Sequence, residues 1–456
     1  MPTPMGEPGR SQRISILEGS LAQVHITITG GSLVTAYALM LGANDFHLGL
    51  VSAFTALSTI AAILGAQWVG LLGRRKPLSV VCSAGGRALW TILCLLPFVP
   101  FSHGTRLALM LTTIFIGNSL VNLSGTGWLS WMTDLVPLER RGRYFGLRNT
   151  VLGAVAMVTS FGAGWILDRY IAAGLRPQGL ATIFGFAAAA ALVAGVVLTR
   201  QWEPPLRGEV PLPMIETIRR PFANRRFRRL LIFAILWATA TGVSSPFFGA
   251  HMIKNLHMSF SMIAVYSILA GVLNLLSLPI WGKVIDRVGN RPVLVCCLLG
   301  VFFLPLLWLF ATPTNLLPIW LDAALTGVFW PGFTLASFNL VLATAPEENR
   351  TAYLAVQTMV VGIATFLASL FGGLAARALG DIRLQVLGLS LINFHLIYVV
   401  SAVLRISLLP LALQLREQRA QTVRVLLGLV GDQVSQRFTQ GWQMGISVVR
   451  RFGGGS

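Results

Sequence analysis

The sequence predicts an all-α polytopic membrane protein, with twelve transmembrane helices in two pseudo-symmetric six-helix bundles. Three observations predict it. Hydrophobic residues make up 55% of the 456-residue chain and charged residues 11%, whereas soluble domains carry about 25% charged residues. The apolar residues gather in runs long enough to cross about 30 Å of hydrocarbon. Those runs divide six and six about one polar segment, 200–229, which holds eight arginines and five prolines.

Taken in order, residues 1–18 form a polar tail with Arg10 and Arg13. No cleavable leader is expected, so the first span serves as its own targeting signal. The expected spans of the first half run over about 19–41, 48–72, 78–99, 107–132, 144–167 and 180–199. Segment 200–229 is the natural linker, because prolines and clustered charge break helices. The second-half spans are expected over about 230–253, 259–285, 293–310, 317–342, 353–376 and 387–411. The first bundle is thus read as 19–199 and the second as 230–411, with a tail at 412–456. Leu426, Leu427, Leu429, Val430, Val434, Phe438 and Trp442 give that tail a loose amphipathic pattern, suited to an anionic membrane surface; disorder is the alternative, because Gly428, Gly431, Gly441 and Gly445 weaken a helix.

The halves echo each other. Pro137, Glu139 and Arg141 in the loop after span four recur as Pro346, Glu348 and Arg350 after span ten, each 209 positions on. Internal repeats of this kind are characteristic of secondary transporters. Gly162 and Gly164 in span five, and Gly372 and Gly373 in span eleven, are small enough for close helix approach.

The net charge of +19 would suggest a nucleic-acid partner in a soluble protein. Here it lies in short loops, so it reads as topology and no nucleic acid is expected. With both termini in the cytoplasm, 27 of the 35 Lys and Arg fall on the cytoplasmic side and six on the other; Arg87 and Arg405 lie within spans. The positive-inside rule selects that orientation. The four cysteines sit inside apolar runs without metal-ligand spacing, so no metal or cofactor is expected. No phosphate-binding loop and no hydrolase motif occurs, which argues against ATP-driven work and against an enzyme.

Residues 282–292, GKVIDRVGNRP, mark the turn between spans eight and nine. Gly282, Gly289 and Pro292 permit the reversal, and Lys283, Arg287 and Arg291 hold it on the cytoplasmic side. This chain resembles the major facilitator superfamily. Gly282, Asp286, Arg287, Gly289 and Arg291 fit that family's signature turn, with Asn290 in place of one basic residue. The first-half copy keeps Arg74 and Arg75 but has Gly70 and Leu71 at the acidic and basic positions.

The resemblance implies a transporter working by alternating access, with spans one, four, seven and ten around a central cavity. It implies that Asp286 and Arg287 gate against the start of span eleven, near Asn349 and Arg350. Asp134 with Arg141 and Arg143 is the equivalent proposal in the first half. Plain loop charge that fixes topology is the alternative for both sets. The likeness to bacterial members implies a multi-pass protein of the bacterial plasma (inner) membrane, working as a monomer among membrane lipids.

Candidate cavity residues follow from polarity within the expected cavity spans. Asp322, in span ten, is costly in hydrocarbon; it is either a proton or cation site or an interfacial residue. His25 in span one could carry a proton or be a hydrogen-bonded core residue, and Tyr37 follows it. Asn118, Asn122 and Trp128 lie in span four, Trp237 and Ser244 in span seven, Trp330 and Asn339 in span ten. Each could contact solute or glue helices. Pro246 and Pro331 are the expected helix interruptions. Arg87, near the middle of span three, reads as a structural buried charge with Glu18 or Glu139 as partner, a substrate anion being the alternative. An aromatic and amide lining suits a small, amphipathic organic solute. Proton-coupled efflux is the expected mode, with an uptake porter or a lipid flippase of the same fold as alternatives.

Overall fold

The computed structural model describes residues 7–205, 214–346, 350–380, 382–386, 388–415 and 417. Span one is interrupted: α1 (Glu7–Ile28) stops at Thr29–Gly30, and α2 (Gly31–Met40) restarts from Gly31 at φ +56°. Span two is α3 (Asp45–Leu57) and α4 (Ala61–Leu72), span three α5 (Lys76–Ala88) and α6 (Thr91–Leu95). Spans four to six are α7 (His103–Leu135), α8 (Leu138–Ala172) and α9 (Arg176–Thr199). A short helix, α10 (Met214–Ala223), lies in the polar segment. Span seven is α11 (Arg225–Gly242) and α12 (Phe247–Lys254), broken at Pro246 as expected. Spans eight to eleven are α13 (Phe260–Val288), α14 (Asn290–Leu307), α15 (Leu317–Thr344) and α16 (Arg350–Leu379).

Span twelve departs from expectation. Residues Arg383–Val386 (β1) and Leu389–Ile392 (β2) pair as an antiparallel hairpin, and the helix begins only at α17 (Asn393–Ser407), followed by α18 (Leu409–Leu413). Gly388, at φ +79°, supplies the turn. The alternation of Leu and polar residues at 383–392 is a strand pattern, and only its part from 387 on falls within the expected span. Pro331 does not interrupt α15, which runs through it. Among the described residues, eleven helical segments are long and apolar enough to cross a membrane. The interrupted α1–α2 segment stands where the twelfth is expected. The amphipathic reading of the tail falls on 418–456, outside the described residues.

Helix starts are set by side chains that satisfy the free amides of a first turn. The Asn44 side chain accepts from His47 N (3.1 Å), Ser102 Oγ from Thr105 N (3.2 Å) and Ser259 Oγ from Met262 N (3.2 Å). At the end carrying the basic turns, acidic side chains from distant segments do the same work. Glu203, just after α9, accepts from the backbone amides of Arg75 (2.6 Å) and Lys76 (3.0 Å) at the start of α5. Glu417, just after α18, accepts from those of Asn290 (3.0 Å) and Arg291 (2.8 Å) at the start of α14. A carboxylate at a helix N-terminus is favoured by the exposed amides and the helix dipole. The two halves thus repeat one another in a contact, as well as in sequence.

The apolar core differs between the two ends of the molecule. At the end opposite the basic turns, one continuous cluster joins both halves. It runs from Tyr37, Trp90, Leu167 and Phe184 to Phe247, Phe260, Trp308 and Tyr398. At the basic end the clusters are separate: one belongs to the second half, and two smaller ones belong to the first.

Candidate functional site

Close packing seals the opposite end. A Cβ at Gly164 of α8 would lie 2.6 Å from Phe260 O of α13, and one at Gly373 of α16 would lie 3.1 Å from Gly49 Cα of α3. Only glycine lets these backbones meet. Gly162, beside Gly164, has nothing within 4 Å, so it is not part of that approach. Polar contacts reinforce the seal. The Asp168 carboxylate of α8 accepts from Phe260 N (2.8 Å), Ser261 N (2.8 Å) and Ser261 Oγ (2.6 Å) at the start of α13. Asp45 of α3 binds Lys254 Nζ (3.0 Å) and Asn393 Nδ2 (2.9 Å).

At the basic end α8 and α13 part. Leu138 and Leu147 of α8 are exposed, and neither Gly146 of α8 nor Gly282 of α13 has an atom near its Cβ position. Between the sealed and the parted ends lies a cavity of about 560 Å³. Its wall comes from α1 and α2 at their break, and from α8, α13 and α15. The polar groups on it are the side chains of Thr27, Ser32, Ser160, Ser267, Asn274 and Thr326, with Trp330 as the aromatic face. Among the described residues, no ionisable side chain lines it. Hydroxyls, one amide and one indole can orient a neutral or amphipathic molecule of modest size.

This wall differs from the expected one. Among the cavity candidates only Trp330 is on it. Tyr37 is fully buried in the first-half core and donates to Leu93 O (2.6 Å). His25 is also buried there, edge-on to Trp90 at 5.7 Å between ring centroids. Asn122 donates to Ser58 Oγ (3.0 Å) across to span two, which is helix glue. Asn118 is half-buried on α7, and Trp128 lies under the Arg148 guanidinium at 4.4 Å. Trp237 stacks on Phe333 (4.2 Å) in the second-half core. Ser244 is buried and shares a hydrogen bond with Ser401 (2.9 Å). Asn339 lies instead on a second hollow of about 470 Å³ at the basic turn, beside Asp286, Arg287 and Glu417. Sequence reading passed over α8 and α13 because Ser160, Ser267 and Asn274 look like ordinary small or capping residues. The paired Gly30–Gly31 was the available signal for the helix break beside them.

Asp322 is buried (3% exposed) and accepts from Tyr266 Oη at 2.6 Å. The buried Arg405 donates to Val301 O (3.0 Å) and interacts electrostatically with Asp322. Asp322 therefore sits inside the second half, one helical turn from the cavity residue Thr326. Arg87 pairs with Glu18 at 3.2 Å, both nearly fully buried; Glu139 is exposed and takes no part.

The basic turns are held differently in the two halves. Arg75 is completely buried and pairs with Asp134 at 2.5 Å, also donating to Ser130 O (3.1 Å). Asp134 thus pairs with Arg75 across the turn, rather than with Arg141 or Arg143 nearby in sequence. Arg141 binds the carbonyls of Thr133 and Val136, while Arg143 and Arg74 are exposed at the surface. In the second half Asp286 and Arg287 are exposed and make no hydrogen bond or ion pair among the described residues. Gly289 ends α13 at φ +94°. The Arg350 side chain and Asn349 lie outside what the structure describes.

The family described as the Major Facilitator Superfamily matches residues 20–249 and 230–425. No curated protein matches. Solved structures do. The nucleoside transporter NupG (D323A mutant) is 11% identical at a TM-score of 0.71, covering 89% of this chain and 100% of that one. The inward open xylose transporter XylE from E. coli is 15% identical at 0.66, covering 92% and 99%. A bacterial homolog to the human lysosomal transporter Spinster, inward-facing and unoccupied, is 16% identical at 0.59, covering 91% and 95%.

Proposed function

The chain belongs to the major facilitator superfamily and is a multi-pass membrane transporter, and from that premise we propose that it carries a small, neutral or amphipathic organic solute by rocker-switch alternating access, coupled to protons. The carrying observation is the contrast between the two ends. One continuous core and the Asp168 contacts join the halves on one side of the cavity, and the halves part on the other. Such a body has two arrangements that trade one seal for the other. With both termini in the cytoplasm, as the charge bias favours, the arrangement seen is the inward-open one.

The wall without charge supports the solute class, since an ionic solute would call for a partner charge inside a low-dielectric site. Asp322 is the proposed proton carrier: it is buried, it touches both Tyr266 and the field of Arg405, and it lies one turn from the wall. Asp286, Arg287 and Arg350, with Arg75 and Asp134, are proposed to set the strength of the closed basic end. A monomer in a plasma membrane is part of this proposal.

Export is the proposed direction, on the sparse charge of the cavity. Uptake is the second reading, favoured by the likeness to a D-xylose–proton symporter, 14% identical at a TM-score of 0.66. The test is a solute screen in proteoliposomes with an imposed pH gradient. Solute-driven proton flux in the parent chain, lost in Asp322→Asn, is the expected result. Coupled flux that survives Asp322→Asn would remove that residue from the mechanism.

A further inference from the structure

At its opposite end the second half holds a cluster of polar side chains that the cavity does not use. His251 of α12 and His395 of α17 face each other, with ring centroids 5.1 Å apart. Tyr398, one turn along α17, and Trp308 each lie 5.8 Å from His251. These four residues are between 0% and 4% exposed. Both ring nitrogens of His251 and the Tyr398 hydroxyl have no hydrogen-bond partner among the described residues, while the Trp308 ring N–H is directed at Asp322 and His395 lies against the Ser390 backbone. One buried polar group left unpaired costs about 1–3 kcal/mol. Several gathered around one point are the setting in which buried water is held, by two to four polar partners each.

The cluster has two ends. His395 sits in the first turn of α17, and its Nδ1 accepts from Ile392 N (3.3 Å), next to the β1–β2 hairpin, whose first strand is exposed. That bond places the hydrogen of the neutral ring on Nε2. At the inner end, Trp308 lies 6.0 Å from Tyr398 and 6.3 Å from Tyr266, and the Tyr266 hydroxyl is bonded to Asp322. Tyr398 itself interacts electrostatically with Asp322.

We propose that His395, His251 and Tyr398, bridged by water, form a proton path from the opposite face to Asp322, separate from the solute cavity. The inference rests on the reading of Asp322 as the proton carrier. His395 takes a solvent proton on Nδ1 as the Ile392 amide lets go, and gives its Nε2 proton to water; that water protonates a His251 nitrogen, which passes a proton through water to the Tyr398 oxygen as the Tyr398 hydroxyl hands its own to an Asp322 oxygen. Each step forms one N–H or O–H bond as the previous one breaks. Other charged groups bear on the path. Arg405 attracts the Asp322 end, and the Lys254–Asp45 pair at 3.0 Å flanks the rim. With the opposite end sealed to solute, this path lets Asp322 exchange protons with one face while the cavity is open to the other.

The test reads Asp322 directly. The protein in lipid is moved from water to heavy water, and the carbonyl stretch of its protonated carboxyl is followed by infrared spectroscopy. The Asp322 band is identified by its loss in Asp322→Asn. His251→Phe keeps a ring against Trp308 and Phe394, and Tyr398→Phe removes only a hydroxyl; unchanged helical content and unfolding midpoint certify each. Exchange slowed by about a hundredfold, the scale of removing one positioned proton donor, is expected in both. A band whose exchange ignores both substitutions overturns the path alone and routes the proton through the cavity. Absence of any such band at every pH overturns the carrier role of Asp322, and the path with it.

Discussion

Asp168 and Ser261 join the two halves of the carrier: one carboxylate oxygen accepts from both the backbone amide (2.8 Å) and the hydroxyl (2.6 Å) of Ser261. The other oxygen accepts from Phe260 N, so a side chain of the first half caps a helix of the second. Hydrogen bonds to a charged group contribute about 1.5–3 kcal/mol each. Asp168→Asn keeps one acceptor and loses the charge, so it should weaken this seal by about 1–2 kcal/mol. Spin labels at Gly146→Cys and Gly282→Cys, both in open space, report on the basic ends. Asp168→Asn should raise the population with those labels close together by roughly fivefold or more. An unchanged distance distribution would show that packing alone holds the seal.

Arg87 and Glu18 form a buried pair, and breaking one half of such a pair leaves an uncompensated charge. Glu18→Gln should lower stability by about 3 kcal/mol or more. Adding Arg87→Met should recover most of that loss. Thermal unfolding in detergent distinguishes this coupling from simple additivity.

The Arg75–Asp134 pair and the Glu203 cap act on the same turn. Asp134 is about a third exposed (33%), while Arg75 is not, so water can soften the loss of the acid. Asp134→Asn should therefore cost less than Glu18→Gln, about 1–3 kcal/mol. Glu203→Ala should cost about 1 kcal/mol, as loss of a helix cap does. A greater loss from Asp134→Asn than from Glu18→Gln would contradict the burial argument.

The cavity wall makes a prediction about solute. Gly153 faces Leu275 across the gap, with 4.0 Å from its Cβ position to the Leu275 side chain. Gly153→Trp should fill the cavity and abolish transport while leaving the unfolding midpoint within a few degrees. Asn274→Ala removes the one amide on the wall. It should weaken solute binding by about tenfold, the cost of one unmade polar contact, without changing maximal rate. A solute handled equally by both variants does not bind here.

The turn at 282–292 and the two-half division were legible because charge and glycine stand out against long apolar runs. The partner of Asp134 was not. Arg141 and Arg143 are closer in sequence, but α7 carries Asp134 to the α5 turn, where Arg75 waits. The depth of Asp322 was equally hidden: a position five residues into a helix is interfacial or buried according to what surrounds it. Tyr266 and Arg405 decide that, from helices far away in the chain. The wall of α8 and α13 was hidden for the opposite reason. Serine and glycine in a membrane span carry the same signal whether they pack a neighbour or face a hollow.

The uncharged wall has an electrical consequence. Moving one elementary charge through 100 mV takes about 2.3 kcal/mol, so a carrier whose binding site bore a fixed ion would feel the resting potential on every half-turnover. This one brings no such charge of its own around the passenger. Its response to voltage therefore belongs to the solute and to whatever proton accompanies it, and current measured per molecule carried would count those protons.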